Sequence, residues 1–231
     1  MMSVAQLQHR SLILFDLDGT LVDSAADLYR AMNLSLEKLG LPLVTEAQVR
    51  VWVGKGAAKL CESVLEHLFG QVDVQQQQQL LSTFVEVYAQ ELCVDTQVYT
   101  GVLPFLEYCQ NHNIAMACVT NKPEQLAKGI LDLLALSPYF KMVIGGDSLP
   151  ERKPHPLPLL YCAQAQNTTT AATLMIGDSS NDVEAARRAG IDCIVVSYGY
   201  NHGESIYDCQ PQQVVDSLAE LIEEDLVRRQ A

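Results

Sequence analysis

Two carboxylates separated by one residue follow a short apolar run near the start of the chain. Residues 12–24 read Leu-Ile-Leu-Phe-Asp-Leu-Asp-Gly-Thr-Leu-Val-Asp-Ser. The apolar run is too short for a buried helix, so it predicts a strand that is covered on both faces and that ends at Asp16 and Asp18. Open α/β sheets bind their ligands at this edge, and we therefore expect the chemistry of the protein to lie there.

Neighbouring carboxylates repel each other, and a hard divalent cation reduces that repulsion. Asp16 is thus a candidate metal ligand and nucleophile. The side chain of Asp18 would point away from that of Asp16, so its backbone carbonyl could bind the metal while its carboxyl group transfers a proton. Gly19 permits a sharp turn, which the Thr20 hydroxyl can fix. A strand followed by an ordinary Asp-Gly turn explains this segment equally well when it is taken alone.

A second predicted strand, at 114–120, runs into the segment Thr-Asn-Lys-Pro at 120–123. The proline is well placed to begin a helix, and a hydroxyl group and backbone amides at the positive end of a helix favour an anion. Thr120 and Asn121 are therefore candidate donors to phosphate oxygens. Capping of the helix by Asn121 is the alternative.

Lys153 stands in a loop that contains three prolines, with the sequence Arg-Lys-Pro-His-Pro-Leu-Pro over residues 152–158. A residue that precedes proline is held extended, so Lys153 can project its ammonium group toward the carboxylates. There it would neutralise both a phosphate and the nucleophile. A basic turn on the surface is the alternative.

A third apolar strand ends in Gly-Asp, within residues 173–182. Asp178 is a candidate third oxygen ligand for the ion, and Ser179 or Ser180 is placed to cap the helix that follows. Asp182 could hold Lys153 or a water molecule bound to the metal. The alternative for Asp182 is a purely structural role, because an acidic residue in the first turn stabilises any helix.

Apolar segments rich in β-formers alternate with helical patterns over most of the chain. This alternation predicts an α/β fold with a parallel sheet, in which the carboxyl ends of the strands bring the candidate residues to one edge. The predicted strands lie at 12–15, 114–120, 142–145, 173–177 and 193–197, and the helices between and after the later strands lie at 123–134, 156–166, 181–189 and 217–229.

The segment between the first two of these strands contains no convincing strand. Its hydrophobic periodicity predicts helices near 25–39, 46–52, 57–69 and 74–92. We therefore expect an all-helical cap at 23–97, inserted into a Rossmann-like core made of 1–22 and 98–231. The connecting segments at 21–24 and 95–101 would act as a hinge.

Composition restricts the partners of the protein. A net charge of -13 and a pI near 4.7 argue against a nucleic acid or an anionic membrane as a partner, because both would repel the chain. The seven cysteines show no metal-binding spacing and are expected to be reduced packing residues. The sequence shows no signal peptide and no apolar span, which predicts a cytoplasmic location.

Four segments together resemble a known family. Asp16-Leu-Asp-Gly-Thr20, Thr120-Asn121, Lys153-Pro154 and Gly177-Asp-Ser-Ser-Asn-Asp182 resemble, in order, the four motifs of the haloacid dehalogenase-like (HAD) phosphohydrolases. The resemblance covers nearly the whole chain, including a helical cap inserted after the first motif. Segments that include Trp52-Val-Gly-Lys-Gly56 are similar to the phosphoglycolate phosphatase subfamily.

The resemblance implies a role for each acidic residue. Asp16 would be the nucleophile that forms an aspartyl-phosphate, and Asp18 would protonate the leaving alcohol and then activate water. Mg²⁺ would be held by Asp16, by the backbone carbonyl of Asp18 and by Asp178.

The resemblance also assigns the phosphate site. Thr120, Asn121 and Lys153 would stabilise the phosphoryl oxygens, and Lys153 would be catalytic together with the two acids of the first motif. The residues expected to support this site are Thr20, Ser179 and Asp182.

The implied substrate is a small phosphoester, with 2-phosphoglycolate favoured, and the implied products are glycolate and phosphate. Closure of the cap would exclude water. Two positions depart from the subfamily, since Lys55 stands in place of an asparagine and Ser180 in place of a common arginine. Lys55 could contact the carboxylate of the substrate, and a solvated lysine at a helix entry is the alternative.

Several other functions stay open. Dehalogenation needs no acid at the position of Asp18, so that residue favours phosphate transfer. The remaining alternatives are a phosphatase of a sugar phosphate or a nucleotide, a phosphomutase, a phosphonate hydrolase with an imine-forming lysine such as Lys55 or Lys59, and a non-catalytic phosphate-binding regulatory module. A monomer or a small homo-oligomer is expected.

Overall fold

The computed structural model describes residues 7–229, apart from the side chains at 224, 226, 228 and 229. Residues 1–6 and 230–231, which belong to the predicted core, lie outside the described residues. Within the described range no helix is both long and apolar enough to cross a membrane. The seven cysteines are unpaired, and five of them are buried.

Six parallel strands form the central sheet, which confirms the predicted α/β fold. The strands of the chain are β1 (Leu12–Phe15), β2 (Val22–Asp23), β3 (Gln97–Val98), β4 (Ala115–Val119), β5 (Met142–Ile144), β6 (Thr173–Gly177), β7 (Asp192–Val196) and β8 (Gln213–Val215). The order in the sheet is β5-β4-β1-β6-β7-β8. Strand β1 is therefore internal, and the ends of its neighbours β4 and β6 lie beside its own end.

Nine α-helices accompany the strands in the described part of the chain. They are α1 (Ala25–Lys38), α2 (Glu46–Trp52), α3 (Ala57–Phe69), α4 (Val74–Gln90), α5 (Val102–Asn111), α6 (Glu124–Leu133), α7 (Leu157–Ala165), α8 (Ser180–Ala189) and α9 (Ala219–Arg229). Sequence periodicity did not reveal α5 or the edge strand β8. The other predicted core strands and helices lie within two residues of their observed bounds.

The short strands β2 and β3 pair in an antiparallel ribbon at the two ends of the helical insertion, with Val22 opposite Val98 and Asp23 opposite Gln97. The expectation of helices alone between the first two core strands was therefore wrong here. Two-residue strands are too short to produce a periodic pattern, and it is their pairing that defines them. The cap boundaries at 23 and 97 stay a prediction, although α1 to α4 contact one another in sequence order and α1 also packs on α4.

A buried carboxylate ties the insertion to its return segment. The Asp27 side chain is fully buried and accepts hydrogen bonds from the backbone N–H groups of Asp95 and Thr96, each at 2.9 Å, and from the Thr96 hydroxyl at 2.6 Å. Burial acts to raise the pKa of Asp27, but these hydrogen bonds, with that from Arg30, lower it below the ordinary value. Arg30 also pairs with Glu91 and Asp95.

The two faces of β1 enter different parts of the core. Ile13 and Phe15 belong to a hydrophobic cluster on one face of the sheet, and Leu12 and Leu14 belong to a cluster on the other. All four side chains are fully buried, as expected for an internal parallel strand. The ring of Phe15 packs edge-on against Phe105 of α5, with 6.0 Å between the centroids.

We expect the substitution Phe105→Ala to lower the free energy of unfolding by about 3–5 kcal/mol, since it removes a buried aromatic ring that packs on β1. Urea denaturation followed by circular dichroism measures this change. Leu103→Ala is the matched control on the same helix, because Leu103 is 42% exposed and its loss should cost less than about 1 kcal/mol. Equal losses in the two variants would contradict the assignment of α5 to the core.

Candidate active site

Three aspartates converge at the carboxyl edge of the sheet. Asp16 follows β1, Asp178 follows β6, and Asp182 lies in the first turn of α8. One carboxylate oxygen from each lies within 4.8 Å of the other two, and all three residues are buried. The two loops meet because β1 and β6 are hydrogen-bonded neighbours in register. The convergence predicted for the strand ends is therefore present.

Lys153 lies between two of these aspartates. Its Nζ atom is 3.0 Å from Oδ1 of Asp16 and 2.7 Å from Oδ1 of Asp182, and its side chain is 1% exposed. Burial lowers the pKa of Lys153, but the charges of Asp16 and Asp182 outweigh burial and raise it above the ordinary value. The ammonium group is therefore charged, and the alternative of a basic surface turn is wrong for this residue.

The second oxygen of Asp182 is occupied by the loop that precedes α8. Its Oδ2 atom accepts hydrogen bonds from the backbone N–H of Ser179 at 3.1 Å and from the Ser179 hydroxyl at 2.9 Å. A Cβ atom on Gly177 would lie 2.3 Å from Cγ of Asp182, so only glycine fits at that position. Asp182 thus fixes both this loop and Lys153.

Asp178 is held by two donors and enclosed by two glycines. The Thr20 hydroxyl donates to its Oδ1 at 2.8 Å, and the backbone N–H of Tyr200 donates to its Oδ2 at 2.6 Å. A Cβ atom would lie 2.2 Å from this side chain if it were placed on Gly19, whose φ is +87°, or on Gly199. The Thr20 hydroxyl was expected to fix its own turn and instead donates to Asp178, and the role of Tyr200 was not predicted.

The acidic cluster suits a hard divalent cation. Burial raises the pKa of Asp16 to about 7, against the opposing effect of Lys153. Burial also raises the pKa of Asp178 well above its ordinary value, and the charges of Asp16 and Asp182 raise it further. Carboxylate oxygens are the ligands that Mg²⁺ prefers, and such an ion would stabilise the ionised forms of these groups. The residues present therefore fit the expected Mg²⁺.

Asp18 forms its own ion pair with a lysine that sequence reasoning had not assigned to the site. The Nζ atom of Lys122 is 2.8 Å from Oδ1 and 2.9 Å from Oδ2 of Asp18, and the Ser24 hydroxyl also donates to Oδ1. The Lys122 side chain is only 4% exposed. Its position directly after Thr120 and Asn121 was the available signal, since that segment follows the strand beside β1.

Asn121 connects two loops by means of its amide group. Its Nδ2 atom donates to the backbone carbonyl of Gly54 at 3.1 Å and to that of Lys153 at 3.0 Å. The alternative role as a helix cap is wrong, because the first N–H group of α6, from Glu124, bonds instead to Asp147 at 2.8 Å. Asn121 thus joins the helical insertion to the loop that carries Lys153.

A cavity of about 40 Å³ lies between the sheet edge and the helical insertion. This volume has room for about three water molecules. The cavity is lined by Asp16, Asp18, Leu28, Val53, Gly54, Gly56, Ala57, Leu60, Phe84, Tyr88, Thr120, Asn121, Lys122, Pro123 and Leu126. Lys55 is exposed and does not line it, so its predicted contact with a substrate has no support in this arrangement.

A parallel sheet with an inserted helical unit and an acidic centre at its carboxyl edge places the chain among the Rossmann-like α/β proteins. The profile of the haloacid dehalogenase-like hydrolases matches residues 13–196. A phosphoglycolate phosphatase of Nitrosococcus oceani is 42% identical over 216 residues, which cover 93% of this chain and 96% of that protein. Phosphoglycolate phosphatase 1 of Pseudomonas aeruginosa is 40% identical over 215 residues, or 91% of this chain and 78% of that protein.

The crystal structure of "a predicted phosphoglycolate phosphatase" from Haemophilus somnus gives a TM-score of 0.89 at 32% identity, and the match covers 96% of this chain and 99% of that one. The chain belongs to the haloacid dehalogenase-like hydrolase family. The resemblance and the fold class predicted from the sequence are both confirmed.

The raised pKa of Asp16 predicts how stability depends on pH when no divalent cation is bound. The folded state holds this proton up to about pH 7, whereas the unfolded state releases it near pH 3.8, so the contribution of Asp16 to stability declines as the pH rises between these values. We expect Asp16→Asn to lose less stability than the wild-type protein over this range, as measured by thermal unfolding in EDTA.

The same measurement with Mg²⁺ added tests the metal site. We expect Mg²⁺ at neutral pH to raise the melting temperature of the wild-type protein and to have a much smaller effect on Asp16→Asn. Glu107→Gln is the control, because Glu107 is an exposed acid on α5, and it should respond to Mg²⁺ as the wild type does. An equal rise in Asp16→Asn would contradict the assignment of Asp16 as a ligand.

Proposed function

We propose that this protein is a Mg²⁺-dependent phosphatase that hydrolyses 2-phosphoglycolate to glycolate and phosphate. The observation that carries the proposal is the buried convergence of Asp16, Asp178 and Lys153 at the end of β1. The names of the relatives that are about 40% identical over most of the chain support the choice of substrate.

In the proposed reaction, Asp16 attacks phosphorus and forms an aspartyl-phosphate. Its Oδ1 atom accepts hydrogen bonds from Leu17 and Lys153, which leaves Oδ2 as the attacking oxygen. The bond from phosphorus to the ester oxygen breaks, and Asp18 protonates the leaving alcohol. Asp18 then takes a proton from water, and the resulting hydroxide attacks phosphorus and releases Asp16.

Positive charge is needed because the substrate, the nucleophile and their neighbours are all anionic. Asp16, the backbone carbonyl of Asp18 and Asp178 would hold Mg²⁺, which supplies charge neutralisation for the transferring phosphoryl group when it is bound. Lys153 supplies a second positive charge next to Asp16, and Asp182 fixes its position. Phosphoryl transfer depends mainly on such positioning and charge compensation.

The two residues after β4 serve the phosphate in different ways. We assign the hydroxyl of Thr120, which lines the cavity, as a donor to a phosphoryl oxygen. The amide N–H groups of Asn121 already bond to the carbonyls of Gly54 and Lys153. Asn121 therefore acts on the phosphate site by positioning the loop of Lys153, and Ser179 acts similarly through Asp182.

The structure gives little support to the phosphonate hydrolase. A phosphonate hydrolase would need an imine-forming lysine in the cavity, but Lys55 is exposed and Lys59 pairs with Glu62 at the surface. The cytoplasmic location and a monomeric or small homo-oligomeric state remain predictions from the sequence.

Replacement of the nucleophile tests the chemistry. We expect Asp16→Asn to reduce Mg²⁺-dependent phosphate release from 2-phosphoglycolate by at least about 10³-fold, because an amide cannot form the acyl-phosphate. Glu107→Gln, at an exposed position of α5, should retain wild-type activity. Activity that persists in Asp16→Asn would discredit the nucleophile, and an inactive but folded wild-type protein would instead support a regulatory module.

A comparison of substrates tests specificity. We expect the specificity constant for 2-phosphoglycolate to exceed those for hexose phosphates and nucleoside monophosphates by at least about 10²-fold, because a site that pairs with a polar group of its substrate discriminates strongly against esters that lack this group. Phosphate release under identical Mg²⁺ concentrations gives the relative constants. A preference of only a few fold would indicate a phosphatase of broad specificity.

A further inference from the structure

The cavity contains a cation that the proposed chemistry does not use. Lys122 lines the cavity together with Asp16 and Asp18, whereas Lys153 lies behind Asp16 and does not line it. Lys122 contacts Asp18 on one side and the ring of Tyr88, from α4 of the helical insertion, on the other. Its Nζ atom lies 4.7 Å from the centroid of that ring.

Part of the wall of this cavity is apolar. Leu28, Leu60, Phe84 and Leu126 are among its lining residues. Burial of an ammonium group among such residues is costly unless its hydrogen-bonding capacity is used. Both hydrogen bonds of Lys122 go to the single carboxylate of Asp18, and its remaining N–H donor lies beside Tyr88, with which the ammonium group also interacts.

The hydroxyl of Tyr88, which lines the same cavity, can form a further hydrogen bond. Tyr88 is 1% exposed, and its hydroxyl forms no hydrogen bond of normal geometry among the described residues, although the Lys122 ammonium interacts with it. The hydroxyl hydrogen of Tyr88 is therefore still available to an acceptor. A buried hydroxyl without a partner costs free energy, which a ligand oxygen could offset. A cation and an unpaired donor on the wall of one small cavity together favour an anionic oxygen ligand.

The covalent structure of the proposed substrate places its carboxylate group near Lys122 and Tyr88. The ester oxygen must reach Asp18, which protonates it, and one methylene group separates that oxygen from the carboxylate. A group held one carbon beyond Asp18 falls next to the partner of Asp18, which is Lys122. Lys153 would then neutralise the phosphate end of the substrate and Lys122 its carboxylate end.

We propose that Lys122 and the hydroxyl of Tyr88 form a carboxylate subsite, which selects phosphoesters whose alcohol carries an acid group. This inference rests on the proposed phosphatase function and adds the determinant of its substrate class. It assigns recognition of the acid to α4 and to the end of β4 rather than to Lys55.

The alternative is that Lys122 only positions Asp18 and does not contact the substrate. That role affects every substrate equally, because each leaving group needs the same proton. A carboxylate subsite affects only substrates with an acid group. The decisive comparison is therefore between 2-phosphoglycolate and 2-hydroxyethyl phosphate, in which an uncharged hydroxymethyl group replaces the carboxylate.

We expect Lys122→Met to reduce the specificity constant for 2-phosphoglycolate about 10- to 100-fold more than that for 2-hydroxyethyl phosphate, as the loss of a charge-assisted hydrogen bond implies. Lys122→Arg should recover part of this selectivity. Lys128→Met is the control for removal of a lysine, because Lys128 lies on the surface of α6 and pairs with Glu124. It should leave both constants unchanged.

Tyr88→Phe provides a second test that keeps the ring and the ion pair. We expect it to raise KM for 2-phosphoglycolate several-fold with little change for 2-hydroxyethyl phosphate. This variant decides the question if Lys122→Met does not fold. Equal effects on both substrates in each folded variant would overturn the subsite, and so would a loss confined to 2-phosphoglycolate in Lys55→Met alone.

The wild-type protein separates failure of this inference from failure of the proposed function. Hydrolysis of both substrates at similar rates would overturn the carboxylate subsite and leave the phosphatase chemistry intact. Absence of Mg²⁺-dependent hydrolysis of either substrate would overturn the proposed function itself.

Discussion

Repulsion among buried carboxylates is the constraint on which the rest of this structure depends. Asp16, Asp178 and Asp182 place oxygen atoms within 4.8 Å of one another where little water can screen them. Lys153 offsets part of this charge, and the raised pKa values of Asp16 and Asp178 reflect the repulsion that remains together with their burial. Glycine at positions 19, 177 and 199 gives the acids the space that they need, since a Cβ atom at any of these would collide with one of them.

The helical insertion and the chemistry of the core are joined by the same hydrogen bonds. The carbonyl of Gly54, which lines the cavity from the insertion, accepts amide N–H groups from Asn121 and Asn181 of the core. The hydroxyl of Tyr200 binds Asp23 at the base of the insertion, while its backbone N–H holds Asp178. Movement of the insertion would therefore change the position of groups at the acidic cluster as well as the shape of the cavity.

Each acidic residue of the first motif forms an ion pair with a different lysine. Lys153 is paired with Asp16, and Lys122 is paired with Asp18. The two carboxylates therefore have different environments even though one residue separates them in the chain. Both lie beyond the end of β1, where the chain turns sharply at Gly19 and no longer follows the alternation of a strand. This separation allows one acid to serve as a nucleophile while the other transfers protons.

The sequence by itself determined the elements and the residues of the sheet edge. Hydrophobic runs define the strands locally, and parallel strands bring their carboxyl ends together, so Asp16, Asp178 and Lys153 could be placed without coordinates. Only the tertiary structure decided that Lys122 is the partner of Asp18, that the amide of Asn121 joins two loops, and that Tyr200 holds Asp178. These partners lie 22 to 104 positions apart in the chain, and periodicity reports which face a residue occupies but not which distant group it meets there.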